Sequence, residues 1–212
     1  MSDTPARIHP TAIVDDGVSI GPGTVVWDTV HLRTGVRIGR DCIIGEKTYM
    51  APDVVVGDRC KLNGFVYMCR GVTIEDAVMI GANVTFTNDR FPRATTPELD
   101  ALRPSDLQDD TLRTLVHEGA TIGAGATIGN DLVIGRFAMV GMGSTVTHSV
   151  PNFALVAGNP ARSLGYVCRC GTPVHRGGWG THVPESCACS TCGRRYERDD
   201  GGVGLREHTG SR

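Results

Sequence analysis

The stretch Ile38-Gly39-Arg40-Asp41-Cys42-Ile43-Ile44-Gly45-Glu46-Lys47-Thr48-Tyr49-Met50 decides the fold. An apolar residue stands at every sixth position (Ile38, Ile44, Met50), and a small or β-branched one follows four residues later (Cys42, Thr48). The beat runs back through Leu32, Val26, Ile20 and Val14 to Ile8, and forward through Val56, Leu62, Met68, Ile74 and Ile80 to Phe86. It resumes at Val116, Ile122, Ile128, Ile134, Val140 and Val146. Neither helical spacing nor strand alternation gives a beat of six. A strict short period is the signature of a solenoid. The simplest object is a triangular column of short parallel strands, three hexads to a coil. Large residues fill its inside, small ones pack near its corners, and each coil buries the edge of the one before. Glycine often follows the beat directly (Gly21, Gly39, Gly45, Gly57, Gly81, Gly123, Gly141), and is expected there to serve a turn at positive φ.

Bulk properties narrow the class. The chain of 212 residues suits one domain plus a small module, and 5% aromatic residues with 28 glycines suit a thin column better than a large globular core. A net charge of -2 argues against a general nucleic-acid footprint. No apolar run approaches the ~20 residues of a membrane span. Met1 to Arg7 lacks the apolar core of a secretory signal. The expected location is the cytoplasm, where eight cysteines point to burial or metal ligation before disulfides.

The repeat resembles the left-handed parallel β-helix of the hexapeptide-repeat acyltransferases. That resemblance implies an all-β, left-handed parallel β-helix solenoid over residues 8–164, interrupted by a long loop. The left hand is an exception to the usual right-handed crossover. Phe86-Thr87-Asn88-Asp89-Arg90-Phe91-Pro92-Arg93 looks like the Phe-Thr-Asn-Asp-x-x-Pro-Arg stretch of N-acetyltransferases that modify nucleotide-linked 3-amino sugars. This branch implies a homotrimer with acetyl-CoA, or another acyl-CoA, in the groove between two columns and a UDP- or dTDP-linked amino sugar as acceptor. By resemblance, Asn88, Asp89 and Arg93 face the sugar nucleotide, and Asn83 holds the sugar amine or the thioester oxygen. Val150 to Arg162 is similar to the Val-x-Gly-x-Pro-Ala end of the family, whose last turn holds the coenzyme. That implies Asn159, Pro160 and Arg162 as coenzyme residues, with Arg162 offering a fork of donors to a phosphate. Backbone amides at Gly123 and Gly141 are expected along the pantetheine arm.

Residues about 88–113 have neither the six-beat nor a helical stripe. A loop of this length in a solenoid is usually functional. It carries Asp89, Arg90, Arg93, Glu98, Asp100, Arg103, Asp106, Asp109 and Asp110, which suits an arm reaching a polar ligand or a neighbouring subunit. His117 and Glu118 follow the first beat after it. A neutral imidazole accepts an amine proton near neutral pH, so His117 is the candidate base, and Glu118 orients it or takes the proton itself. Two other classes share such a column. A γ-type carbonic anhydrase needs a His-x-x-x-x-His pair, and position 122 is Ile. A non-catalytic scaffold needs neither the arm nor the closing turn. Within the transferase class, another small amine or a hydroxyl, as in an antibiotic precursor, remains a rival acceptor.

After Leu164 the composition shifts. Cys168-Arg169-Cys170-Gly171 and Cys187-Ala188-Cys189-Ser190-Thr191-Cys192-Gly193 read as two knuckles of a zinc-ribbon-like module over residues 165–198. Four thiolates converge on zinc, and each glycine lets amides turn toward sulfur. The ligands are Cys168, Cys170, Cys189 and Cys192, with Cys187 or His175 able to replace one. Redox-active thiols are the rival reading. Trp179 and Tyr196 are small-core candidates. A structural zinc would largely fold so short a segment. Residues 1–7 and 199–212 read as tails without structure.

Overall fold

The computed structural model describes residues 4–103, 112–177 and 183–208; Asp106, Asp109, Asp110 and Trp179 lie outside them. Among the described residues there is no helix. Short parallel strands follow one another around three faces. The first face is a ten-stranded sheet that starts at Arg7–Ile8 and takes in Met79–Ile80, Thr121–Ile122, Met139–Val140 and Ala154–Gly158. The second has seven strands from Ile13–Val14 to Thr145–Val146, and the third six from Ser19–Ile20 to Val133–Ile134. Arg7 pairs with Val25 and Val25 with Ile43, so eighteen residues, three hexads, make one coil. The expected all-β solenoid is the fold.

The beat residues fill the inside. Leu32, Ile44, Leu62, Ile80, Ile122 and Ile128 are fully buried, as are Val30, Val54, Ala120 and Ala126 at the small positions. The first coil differs: Ile8 and Val14 are 42% and 39% exposed, because no coil precedes them. Cys42 and Cys60 stack as buried thiols, with the Cys60 amide donating to Cys42 Sγ at 3.3 Å. Cys69 is buried as well. The arm leaves the column from the next coil above it, where Thr85 pairs with Tyr67. Burial pushes its thiol up to about 11.

The glycines after the beat do not occupy positive φ. That conformation falls two residues later, on Thr29, Asp41, Lys47, Asp53, Arg59, Phe65, Ala77 and Asn83 as well as on Gly23, Gly125 and Gly143. The glycine after the beat is there for contact. A Cβ on Gly81 would lie 2.4 Å from the Ala124 backbone nitrogen, and one on Gly123 would lie 2.5 Å from that of Met142. Coils touch backbone to backbone at this position, and only hydrogen fits between them.

Beyond the last coil the chain reverses. Ala161–Val167 pairs antiparallel with Ala154–Gly158 on one side and with Pro173–Arg176 on the other, extending the first face. This strand runs straight across the expected boundary between residues 164 and 165. A separate three-stranded sheet joins Ser186–Ala188, Arg195–Arg198 and Leu205–Glu207. Its last strand lies in the segment expected to be a structureless tail. Leu205 is fully buried, and its amide donates to the Asn152 carbonyl at 3.2 Å, so the tail is held by the last coil.

The two glycine classes should respond oppositely. Gly81→Ala forces a methyl into backbone and is expected to cost about 1–3 kcal/mol. Ala77→Gly relieves a left-handed residue and should stay within about 1 kcal/mol of neutral. Thermal midpoints check this, and equal losses in both variants would contradict the assignment.

Candidate active site and thiolate centre

The register places the expected site residues on three different corners of the column. The first corner, between the first and second faces, gathers most of them. Ile80 lies opposite Ile122, Ile122 opposite Val140, and Val140 opposite Val156. Three residues on from the first three, Asn83, Gly125 and Gly143 therefore fall in one line, with Gly123 and Gly141 just inside it, while Asn159 stands in the hairpin turn that follows the strand Ala154–Gly158. A Cβ on Gly125 or Gly143 would meet nothing within 4 Å. The line is thus a strip of open peptide running on from Asn83, beside Met142, which is 82% exposed. Ser144 Oγ donates to the Gly141 carbonyl at 2.7 Å and accepts from the Gly158 amide at 3.2 Å, tying the last turn to this strip. Arg162 Nη1 donates to the Ala161 carbonyl at 2.9 Å, which leaves the rest of the exposed guanidinium fork open.

The second corner carries the arm. Its base is fixed by an exposed pair, Arg90 Nη2 to Asp131 Oδ2 at 3.1 Å. The arm then doubles back, with Thr95 bridging Leu102 and the Arg103 amide donating to the Ala94 carbonyl at 3.0 Å. Asn88 and Asp89 sit at its base, and Arg93 folds its guanidinium onto the Pro92 carbonyl at 2.9 Å. Phe91, Leu99 and Leu102 are each about four-fifths exposed.

The third corner holds His117 and Glu118 directly after the strand Thr114–Val116. Ile74 pairs with Val116, so Glu75 stands over His117 from the coil before. His117 Nδ1 lies 3.1 Å from Glu75 Oε2, and the same oxygen accepts from the Glu118 amide at 2.9 Å. An ionised carboxylate accepts a hydrogen bond from Nδ1–H, which leaves Nε2 as the nitrogen without a proton. Burial raises the Glu75 carboxyl, but the Glu118 amide and the His117 ring together outweigh it and hold it below the usual carboxylate range. The Glu118 side chain does not orient His117; it turns away to Arg136 Nη2 of the next coil. Glu75 and Arg136 were not singled out from sequence. The signal was present, since Glu75 follows Ile74 as His117 follows Val116, but the arm between them conceals that they are stacked.

The tail brings four sulfurs together. The Sγ atoms of Cys168, Cys170, Cys189 and Cys192 all lie within 4.8 Å of one another, with Cys168 to Cys192 at 3.4 Å and Cys170 to Cys189 at 3.6 Å. Tetrahedral zinc with bonds of about 2.3 Å separates its sulfurs by about 3.8 Å, so the donor set fits that ion. Cys187 is instead in a strand opposite Tyr196, and His175 pairs with Tyr166, both outside the cluster. Tyr196 is buried; its hydroxyl lies 3.0 Å from Cys168 Sγ and accepts from the Arg169 amide at 3.0 Å. Its ring meets Phe153 at 5.0 Å, and Phe153 stacks on Phe137 at 5.3 Å. Arg169 lies over Phe137 at 4.7 Å. An aromatic column thus joins the thiolate centre to the third corner.

Residues 17–52 match the profile of the family described as bacterial transferase hexapeptide (six repeats). Within that stretch the six-residue beat of the coils is the repeat the profile describes. A similar protein is the dTDP-3-amino-3,6-dideoxy-alpha-D-galactopyranose 3-N-acetyltransferase of Aneurinibacillus thermoaerophilus, 40% identical over 89 residues. That match covers 42% of this chain and 43% of the relative, so the chain spans less than half the length of the curated relative it matches. Among solved structures, WeeI from Acinetobacter baumannii AYE is 26% identical, with a TM-score of 0.48 over 74% of this chain and 57% of that one. The acetyltransferase domain of PglB from Neisseria gonorrhoeae FA1090 in complex with acetyl coenzyme A is 21% identical, with a TM-score of 0.47 over 76% of this chain and 58% of that one.

The Glu75 contact has a pH signature. A carboxyl depressed in the folded state stabilises above its unfolded pKa, and that stabilisation is lost as pH falls through the folded value. Glu75→Gln should therefore lower the thermal midpoint at about pH 7 and converge on the wild-type midpoint near about pH 3. A gap that stays constant across this range would contradict the contact.

Proposed function

We propose that this chain is an acetyl-CoA-dependent N-acetyltransferase acting on the amino group of a UDP- or dTDP-linked amino sugar. The observation that carries the reading is the His117–Glu75 pair on a hexapeptide-repeat coil. The 40% identity to an enzyme named for a dTDP-linked 3-amino sugar supports the acceptor class. His117 Nε2 receives the proton as the sugar amine attacks the thioester carbonyl carbon. The carbon–sulfur bond then breaks, and the same proton returns to the departing thiolate, so amide and free thiol form with no net proton change. The imidazolium that exists in between lies against the Glu75 carboxylate, which stabilises it. The open strip from Asn83 to Gly143 suits an extended pantetheine chain, and the Arg162 fork suits a phosphate.

The layout supports a homotrimer. Asn83, the arm residues Asn88, Asp89 and Arg93, and His117 occupy three corners of one column. A single reaction centre that uses them all draws its corners from different copies. The exposed Phe91, Leu99 and Leu102 of the arm are apolar groups suited to a neighbouring copy. The four-thiolate set leaves no open coordination position, so its zinc is structural and not catalytic. The reduced thiolates suit the cytoplasm.

The test is thiol release from acetyl-CoA with a panel of UDP- and dTDP-linked amino sugars. His117→Asn should lower kcat by about 10²–10⁴ without dissociating the trimer. An unchanged kcat in that variant would remove His117 as the base. Absence of turnover on every amine by intact trimers would favour a scaffold.

A further inference from the structure

The strand Ala161–Val167 has a functional group at each end. Its first residues close the Gly158–Arg162 turn at the first corner, where Gly158 pairs with Ala161 and Ala157 with Arg162. Its last residue is followed directly by Cys168, the most buried of the four clustered thiols. We infer that the zinc held by Cys168, Cys170, Cys189 and Cys192 is thermodynamically coupled to the coenzyme turn through this strand, so that each ligand tightens the other.

The strand is built to pass on a displacement. It is hydrogen-bonded along both edges, and Tyr166 and Val167 are buried. Its register is irregular on both sides, with shifts at Leu155/Val156 and at Tyr166/Val167. Irregular pairing leaves register to be set by anchors at the ends, because a slip of one residue moves every side chain to the other face. One of the anchors at the far end leads to the four sulfurs, since Phe153 packs on Tyr196 beside Cys168. The Val167 amide donates to the Phe153 carbonyl at 2.8 Å, and the Tyr166 hydroxyl donates to the Val203 carbonyl at 2.7 Å. The first knuckle also abuts the first face, since a Cβ on Gly171 would lie 3.7 Å from Met139 Cε, two residues before Gly141. With the four sulfurs gathered on one ion, Cys168 is fixed against Tyr196 and Phe153, and the strand holds Gly158–Arg162 beside Ser144. Without the ion, the thiols lose their common partner, and the far end of the strand is left to the Val167–Phe153 and Tyr166–Val203 bonds.

The inference rests on the coenzyme reading proposed above, and the experiment separates the two. Zinc content of the purified full chain is measured first, then the transfer of zinc to a chromogenic chelator with and without saturating coenzyme A. The affinity for coenzyme A is measured before and after chelation. One zinc per chain is expected, and coenzyme A should slow its release by about fivefold or more. Chelation should in turn weaken coenzyme A binding, because equilibrium coupling is reciprocal, although a release rate and an affinity need not change by one factor. A chain that contains no zinc and takes none up overturns the metal site. Coenzyme A that binds the zinc-loaded chain yet leaves zinc release unchanged overturns the coupling alone. Coenzyme A that does not bind the zinc-loaded chain overturns the coenzyme reading, and the coupling with it. The variant Cys189→Ser/Cys192→Ser is the second arm: it should retain the strand signal in circular dichroism and bind coenzyme A more weakly. Undiminished affinity in that variant also overturns the coupling.

Discussion

Successive coils of this column lie so close at the glycines that follow the apolar beat that a methyl group on Gly123 would come 2.5 Å from the next backbone. At those glycines no side chain is interposed, and the ladder of parallel strands keeps the coils in register. Each corner therefore becomes a straight line of equivalent positions, one residue per coil. Glu75 stands over His117, and Glu118 reaches Arg136, because residues eighteen apart or separated by the arm occupy the same step of successive coils. Chemistry on such a scaffold is written by filling a line. The first corner is bare at Gly125 and Gly143, and the third is filled with charged and aromatic groups.

A column has two ends, and this one treats them differently. At the start, Ile8 and Val14 remain partly in solvent. At the finish, Phe137, Phe153 and Tyr196 continue the third corner into the thiolate module, and Leu205 and Val203 tie the last strand to Asn152 and Tyr166. Terminal units of solenoids need some such cover. Here the cover shares buried surface with the coils, since Cys168, Cys189, Tyr196 and Leu205 belong to the same apolar cluster as the column interior.

The coil architecture was legible because the inside of the column admits one size of group at each step, and sequence displays size directly. Conformation was less legible. Glycine after the beat suggested a positive φ, whereas the constraint is contact with the next coil, which depends on a neighbour eighteen residues away. The ligand set Cys168, Cys170, Cys189 and Cys192 could be read from paired spacing, and the four sulfurs do converge. The strand that leads into it could not, because Ala161–Val167 has neither the six-beat nor a clean alternation. His117 was visible as a histidine after the first beat beyond the arm. Its partner was not, since the long insertion separates Glu75 from His117 in sequence while leaving them 3.1 Å apart in space.

The account turns on His117 serving a thioester laid along a corner of stacked hexads. A crystal structure with coenzyme A and an amino-sugar nucleotide tests this most directly. The account predicts three copies around an axis, the coenzyme along the line from Asn83 to Gly143, and the acceptor nitrogen within hydrogen-bond reach, about 3 Å, of a His117 Nε2. A coenzyme bound away from that line, or an acceptor amine remote from every His117 in the assembly, would contradict it.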